Sequence, residues 1–229
     1  MRFLLTNDDG IDAPGLATLE RVVEELNASF ITIAPDKHLS GCSHQVTIDS
    51  PLNLVGCGKD RYSLNGTPAD CVRVGLKHLA ADVDYVLSGI NDGGNLGVDV
   101  YMSGTVAAAR EAALLGKPAI SLSQFRRTRD VSNWQGSGEM AFRLLQDLLL
   151  RRPAPRTFWN ANFPDEPNQN TQQVSINDCP LDKHPLLVNY DLVEGSLFYR
   201  GEYQERAHSP GTDVGRCFAG NITLTNVEV

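Results

Sequence analysis

Met1-Arg-Phe-Leu-Leu-Thr-Asn-Asp-Asp-Gly-Ile-Asp-Ala-Pro-Gly15 reads as a strand, a polar turn and the start of a helix. Phe3-Leu4-Leu5 is an apolar run of the kind found in strands buried on both faces. It breaks into Asn7-Asp8-Asp9-Gly10. Pro14 then precedes Leu16 to Leu26, where apolar residues recur at helical spacing. Asp8 and Asp9 therefore fall at the carboxyl end of a strand, where open α/β sheets bind ligands. Two adjacent carboxylates repel each other, so they share a proton, take cationic partners or hold a metal. No lysine or arginine lies near them in sequence, which leaves a metal or a distant cation to supply the charge. Asp is equally a common turn and helix-capping residue, and this stretch alone leaves both readings open.

Working outward, Phe30 to Ala34 is a second apolar strand, so the chain opens as a βαβ unit with a parallel pair and a right-handed crossover. The loop Lys37 to His44 is polar. Val46 to Ile48, Leu52 to Val55 and Tyr62 to Leu64 read as short strands, and Ala69 to Leu79 as a helix. Val83 to Leu87 is another inner strand, breaking into a ten-residue loop, Ser88 to Gly97, that carries four glycines. Ser103 to Leu115 is Ala-rich, capped by Ser103 and closed by Gly116. Pro118 to Leu122, a helix over Glu139 to Leu150 and a strand over Phe158 to Phe163 follow. The expected organisation is an α/β core over residues 1–163 with a mostly parallel sheet and helices on both faces. Residues 164–229 read as an appended extension with a hairpin (Leu186 to Tyr190, Ser196 to Arg200) and a last strand at Ile222 to Thr225.

The composition narrows the function. The 229 residues include 20 Lys plus Arg against 28 Asp plus Glu, a formal net charge of −8, which disfavours a broad grip on a nucleic-acid backbone. An anionic substrate would need a local positive charge. Five cysteines, odd in number and without a C-x-x-C pair, suggest neither a disulfide framework nor a zinc cluster. No apolar run is long enough to cross a membrane, and the expectation is a cytoplasmic protein without a membrane or polymeric nucleic-acid partner.

Parallel strands deliver the loops at Asn7 to Gly10, Asp36 to Ser43, Ser88 to Gly97 and Ser121 to Ser123 to one sheet edge. Their carboxylate, amide and hydroxyl oxygens suit Mg²⁺, Mn²⁺ or Ca²⁺. Glycines of the Asn91 loop allow a ligand close approach to the backbone, although such a loop is also read as a flexible surface connection. Ser103-Gly104-Thr105 opens a helix with free N–H groups and two hydroxyls, a seat for phosphate. There is no Gly-Lys-Ser/Thr and no G-x-G-x-x-G after the first strand, which argues against a Walker A loop and a dinucleotide fingerprint.

Asn7-Asp-Asp-Gly10 with Ala13-Pro-Gly15, Ala34-Pro-Asp36 with Ser40-Gly-x-Ser43, and Asn65-Gly-Thr-Pro-Ala-Asp-Cys-Val72 resemble the family of the bacterial survival protein SurE. So do Ser88-Gly-Ile-Asn91, Asn95-Leu-Gly-x-Asp99, Ser103-Gly-Thr-Val-Ala-Ala108 and Gly211-Thr-Asp-Val214. The blocks keep the family's order from residue 3 to about residue 225. The resemblance implies a Rossmann-like core and a metal-dependent phosphatase acting on nucleoside 5′- and 3′-monophosphates, with short polyphosphate as a further substrate of some members. It also implies a homodimer or homotetramer assembled through the C-terminal part. One divalent cation per subunit, Mg²⁺ or Mn²⁺ (or Ca²⁺ in a crystal), would be held by Asp8, Asp9, Ser40 and Asn91. The chain stops soon after Thr225, where many relatives continue, so the usual oligomer contact is expected to be altered. Ala112 stands where relatives often carry Gly, a change expected to affect packing only.

The catalytic set expected from all this is Asp8, Asn91, Ser103 and Thr105. Asn7, Gly41, Asn95, Ser103, Gly104 and Thr105 are the expected phosphate contacts. Asp8 would orient or deprotonate the attacking water; a phospho-aspartate on Asp8 is the rival route, and a non-catalytic nucleotide sensor the rival function. Lesser candidates are His38 and His44 as proton donors and Arg126, Arg127 and Arg129 as a phosphate-attracting rim. Each is as readily a polar or solvated loop residue. Cys42 has no basic neighbour to make it a thiolate. Asn65, Thr67 and Asp70 read as a substrate wall or a helix cap, and Asn160 and Asn162 as edge residues or as partners within the tail.

Overall fold

Phe3, Leu4 and Leu5 are fully buried, and the strand they form lies inside the main sheet. The computed structural model describes residues 1–128, 134–165 and 170–229. In chain order the elements are β1 (Arg2–Thr6), α1 (Pro14–Glu25), β2 (Ser29–Pro35), β3 (Leu54–Gly58), β4 (Arg61–Leu64) and α2 (Pro68–Val74). Then come β5 (Tyr85–Asp92), α3 (Gly104–Leu114), β6 (Ala119–Gln124), α4 (Trp134–Leu148) and β7 (Thr157–Phe163). The remainder is β8 (Ile176–Asp178), β9 (Tyr190–Val193), β10 (Ser196–Tyr199), α5 (Asp213–Phe218) and β11 (Ile222–Glu228).

Among the described residues the main sheet runs β3-β4-β2-β1-β5-β6-β7-β11-β8, with β9 and β10 apart as an antiparallel hairpin. From β4 through β7 every pairing is parallel. The protein is thus an α/β fold with a mostly parallel sheet. From β1 the chain moves to β2 on one side, reaches β4 and β3 beyond it, then returns to β5 on the other side of β1. The strand order reverses there, which opens a crevice outside the carboxyl ends of β1 and β5. The period-two alternation of a strand sends Phe3 and Leu5 into one core with α1 and α4, and Leu4 into another with α2 and α3.

Several sequence expectations shift. Val46 to Ile48 forms no strand, and the following strand lies at Leu54–Gly58. The helix begins at Pro68, capped by Thr67 and Asp70, and ends in a wider turn over Gly75–Leu79. β5 does not stop at Leu87. Asn91 pairs with Ser123 and Asp92 with Gln124 beyond an irregularity, so the first half of the expected glycine loop is strand, held by a partner that local sequence does not reveal. α4 begins at Trp134, five residues before Glu139, and the first hairpin arm sits at Tyr190–Val193. Residue 163 does not separate two sheets: β11 pairs antiparallel with β7, and β8 joins β11 in the same sheet. Among the described strands only the hairpin stands clear of the main sheet, with all eight of its strand residues exposed.

Candidate active site

Asp8 follows β1 and is 5% exposed. Its Oδ1 accepts the Thr105 hydroxyl from the first turn of α3. Gly104 makes this approach possible, since a Cβ there would stand 2.9 Å from the Asp8 Cβ and 2.6 Å from the Cys42 Sγ. Burial pushes the Asp8 carboxyl up to about 6, opposed by the Thr105 hydrogen bonds and assisted by the charge of Asp9. Asp9 is more open. Its Oδ1 lies 3.1 Å from His38 Nδ1, and its Oδ2 accepts the Asp92 N–H at 3.3 Å. Burial raises the Asp9 carboxyl too, against the pull of the Asp92 amide and His38.

The loop after β2 is tied to both neighbours. Leu39 N–H donates to the Asp8 carbonyl at 2.8 Å, Ser43 N–H to the Met102 carbonyl at 3.0 Å and Ser43 Oγ to the Tyr101 carbonyl at 2.9 Å. This sets Ser40 and Gly41 at the mouth of a cleft of about 830 Å³ that Asp8, Asp9, Asn91 and Ser103 also line. Asn91 Nδ2 donates to the Gly93 carbonyl at 2.8 Å, leaving Oδ1 as the side chain's acceptor. Ser103 Oγ caps α3 by accepting the Val106 N–H at 3.1 Å, and its own O–H remains to donate. The structure thus brings Asp8, Asp9, Ser40, Gly41, Asn91, Asn95 and Ser103 to one cleft.

Two expected contacts face elsewhere. The Asn7 side chain is buried and exchanges hydrogen bonds with the Gly10 backbone, so it builds the turn. Thr105 is fully buried and spends its hydroxyl on Asp8, so it positions that carboxylate. Asn95 is held by Asn160 and Asn162, whose amides donate to its carbonyl at 2.9 and 3.1 Å, while its N–H donates to Asn162 Oδ1 at 2.7 Å. These two asparagines therefore serve the Asn95 loop, not the tail. Thr67 and Asp70 form a capping box, and Asn65 accepts the Asn53 N–H. Burial pushes the Cys42 thiol up to about 11, which keeps it protonated. His44 sits on Glu111 with Arg73, at 2.8 and 2.6 Å, away from the cleft.

The cleft also contains residues to which the sequence reading assigned no role. Asp92, Asp99, Phe125, Trp134 and Tyr203 line it. Asp99 carried a signal, being part of the Asn95-Leu-Gly-x-Asp99 block; Trp134 and Tyr203 carried none, because only folding brings them there. Arg126 and Arg127 line the cleft too, whereas Arg129 lies outside the described residues.

The family model described as survival protein SurE matches residues 3–183. A putative 5′-nucleotidase of Nostoc sp. is 44% identical over 229 residues, covering 100% of both chains. The 5′-nucleotidase SurE of Methylocella silvestris is 36% identical, covering 98% of this chain and 92% of its own. The crystal structure of the SurE protein from Aquifex aeolicus superposes with a TM-score of 0.86 at 32% identity, covering 100% of this chain and 93% of that one. By its sequence blocks, its fold and these matches, the chain belongs to the SurE family.

Proposed function

We propose that the protein is a phosphoric monoester hydrolase that releases phosphate from nucleoside 5′- and 3′-monophosphates with the help of one divalent cation. The reading rests on one observation: oxygen donors from three sequence-distant loops meet in one cleft beside the start of α3. The relatives named as 5′-nucleotidases support the substrate class. Short polyphosphate is proposed as a further substrate on the strength of the family resemblance alone.

The residues present fit a hard cation. Asp8 is a buried carboxylate that forms no ion pair among the described residues, and Asp9 stands next to it. Ser40 and Asn91 complete an all-oxygen donor set of the kind Mg²⁺ or Mn²⁺ takes. Among the described residues no three His, Cys, Asp or Glu side chains gather as a metal centre, so a mixed set with hydroxyl and amide oxygens is the fitting one. When bound, the cation neutralises phosphate charge and acidifies water. The remaining work falls to the chain. Thr105 fixes the Asp8 carboxylate, which orients the attacking water and accepts its proton. The Ser103 hydroxyl and the Gly104 N–H at the start of α3 hold phosphoryl oxygens, in a reaction governed by positioning and charge.

Among the described residues no helix is long and apolar enough to cross a membrane, and all five cysteines are free, which supports a cytoplasmic setting. The exposed hairpin, with Leu192, Leu197 and Phe198 on its surface, supports residues 164–229 as the assembly segment of a homodimer or homotetramer. The test is a phosphate-release screen of nucleoside 5′- and 3′-monophosphates and tripolyphosphate with Mg²⁺, Mn²⁺ or chelator. Release that requires a divalent ion is expected. Tight nucleotide binding without release under every condition would instead make the protein a nucleotide sensor.

A further inference from the structure

The lining of the cleft includes an unusual cation. The Arg126 side chain is only 8% exposed, yet its guanidinium is incompletely satisfied. Nε donates to Asp92 Oδ1 at 2.5 Å, while Nη2 is buried without a partner among the described residues. The plane is held in place, since its Cζ lies 4.8 Å from the centre of the Trp134 ring. Stacking and one ion pair thus fix a planar donor fork whose Nη2 is unpaired among the described residues, an arrangement that suits an oxyanion. An unpaired charged donor away from water is costly, and such a cost is tolerated where a ligand completes the group.

The position is as telling as the geometry. Asp92, which holds Arg126, donates its backbone N–H to Asp9, so the guanidinium is two hydrogen bonds from the acid pair. The cleft is otherwise rich in acids, with Asp8, Asp9, Asp92, Asp99 and Glu202 in its lining. An anion entering it meets repulsion that a fixed cation would offset. Arg127 differs: its side chain is 49% exposed, and it is engaged with the Phe218 carbonyl and Asp165.

We infer that Arg126 is a substrate-binding residue that takes a phosphoryl oxygen of the monophosphate in its unpaired guanidinium fork. The identity of the anion rests on the phosphatase reading above. The test measures binding and turnover separately. Calorimetry with inorganic phosphate, adenosine 5′-monophosphate and adenosine, in the presence of Mg²⁺, is run on the full chain and on Arg126→Ala and Arg127→Ala. Loss of a hydrogen bond to a charged group should weaken phosphate and the monophosphate about ten- to hundredfold in Arg126→Ala, with KM rising in step and kcat changing less. Adenosine affinity should stay the same, and Arg127→Ala should cost less than about threefold, as exposed charges do. If Arg126→Ala does not fold, Arg126→Lys replaces it, since it keeps the charge but loses the planar fork; the same losses are expected, only smaller. Phosphate affinity equal to wild type in the folded variant would overturn the inference. So would an equal loss in Arg127→Ala, or an equal loss for adenosine. Absence of phosphate release by the wild type would sink the phosphatase reading alone, while Arg126-dependent phosphate binding in that same protein would still support the site. Wild-type protein that binds no phosphate would sink the site.

Discussion

Asp8 and Asp99 are acids in the wall of the same cleft, 5% and 9% exposed, and their surroundings differ in one respect. Asp99 Oδ2 accepts Arg206 Nη1 at 2.6 Å, the Tyr203 hydroxyl at 2.7 Å and the Leu96 N–H at 3.2 Å. Its charge is matched within the chain. Asp8 has the neutral Thr105 hydroxyl and the like charge of Asp9. The first arrangement ties the tail to the Asn95 loop and is complete in itself. The second holds a charge ready for something outside the chain. A buried carboxylate with a cation stabilises structure, and one without is a candidate for binding.

The sharpest way to break this comparison is Asp8→Asn. Turnover at saturating metal should fall roughly a hundred- to a thousandfold, with the fold intact; near-wild-type turnover would remove Asp8 from the site. Stability should move the other way. Because burial raises the Asp8 carboxyl to about 6, its ionised form is disfavoured in the folded state. That cost is absent below the ordinary carboxylate range near pH 4 and fully present above about pH 6. In chelator at pH 7, Asp8→Asn should therefore melt at or above the wild type, and a lower melting point would show that the native charge is already compensated.

Arg206→Ala tests the other arm. It leaves Asp99 buried and unpaired, which should cost about 3 kcal/mol in urea unfolding. A loss below about 1 kcal/mol would mean that water screens the pair as it does on a surface, and the contrast with Asp8 would collapse. Asn91→Ala is expected to be milder. The metal concentration for half-maximal activity should rise by roughly tenfold or more, as for losses around metal sites; an unchanged metal titration would make Asn91 a strand residue and no ligand. Ser103→Ala should be smallest, near 1 kcal/mol for the lost α3 cap. Lower stability with unchanged inhibition by inorganic phosphate would reduce Ser103 to a cap.

Much of the candidate site was legible because its signals are local. Asp8 and Asp9 follow a buried run, and Ser103 stands where an Ala-rich helix must be capped, so both could be placed by chain order alone. Thr105 and Asn7 were read as phosphate contacts because an exposed polar side chain and a satisfied one look alike in sequence. Asn7 turns back on Gly10 only three residues away, whereas the Thr105 hydroxyl is spent on Asp8 across 97 residues of chain. Arg126 sits in a run of arginines that reads as solvated, and its burial depends on Trp134 and Asp92 arriving beside it.

Local sequence was enough for the βαβ opening, the parallel character of the core, the presence of helices near Pro14, Pro68 and Gly104, and the oxygen-rich loops at one sheet edge. Those properties follow from side-chain periodicity, capping and turn chemistry, which act over a few residues. Folding alone set β5 running on to Asp92, brought β11 and β8 into the main sheet, placed Tyr203 of the tail in the cleft lining and paired Arg206 with Asp99. Strand extension, sheet order and buried ion pairs are set by backbone and charged groups that must find partners when water is removed. In this chain those partners lie far away in sequence.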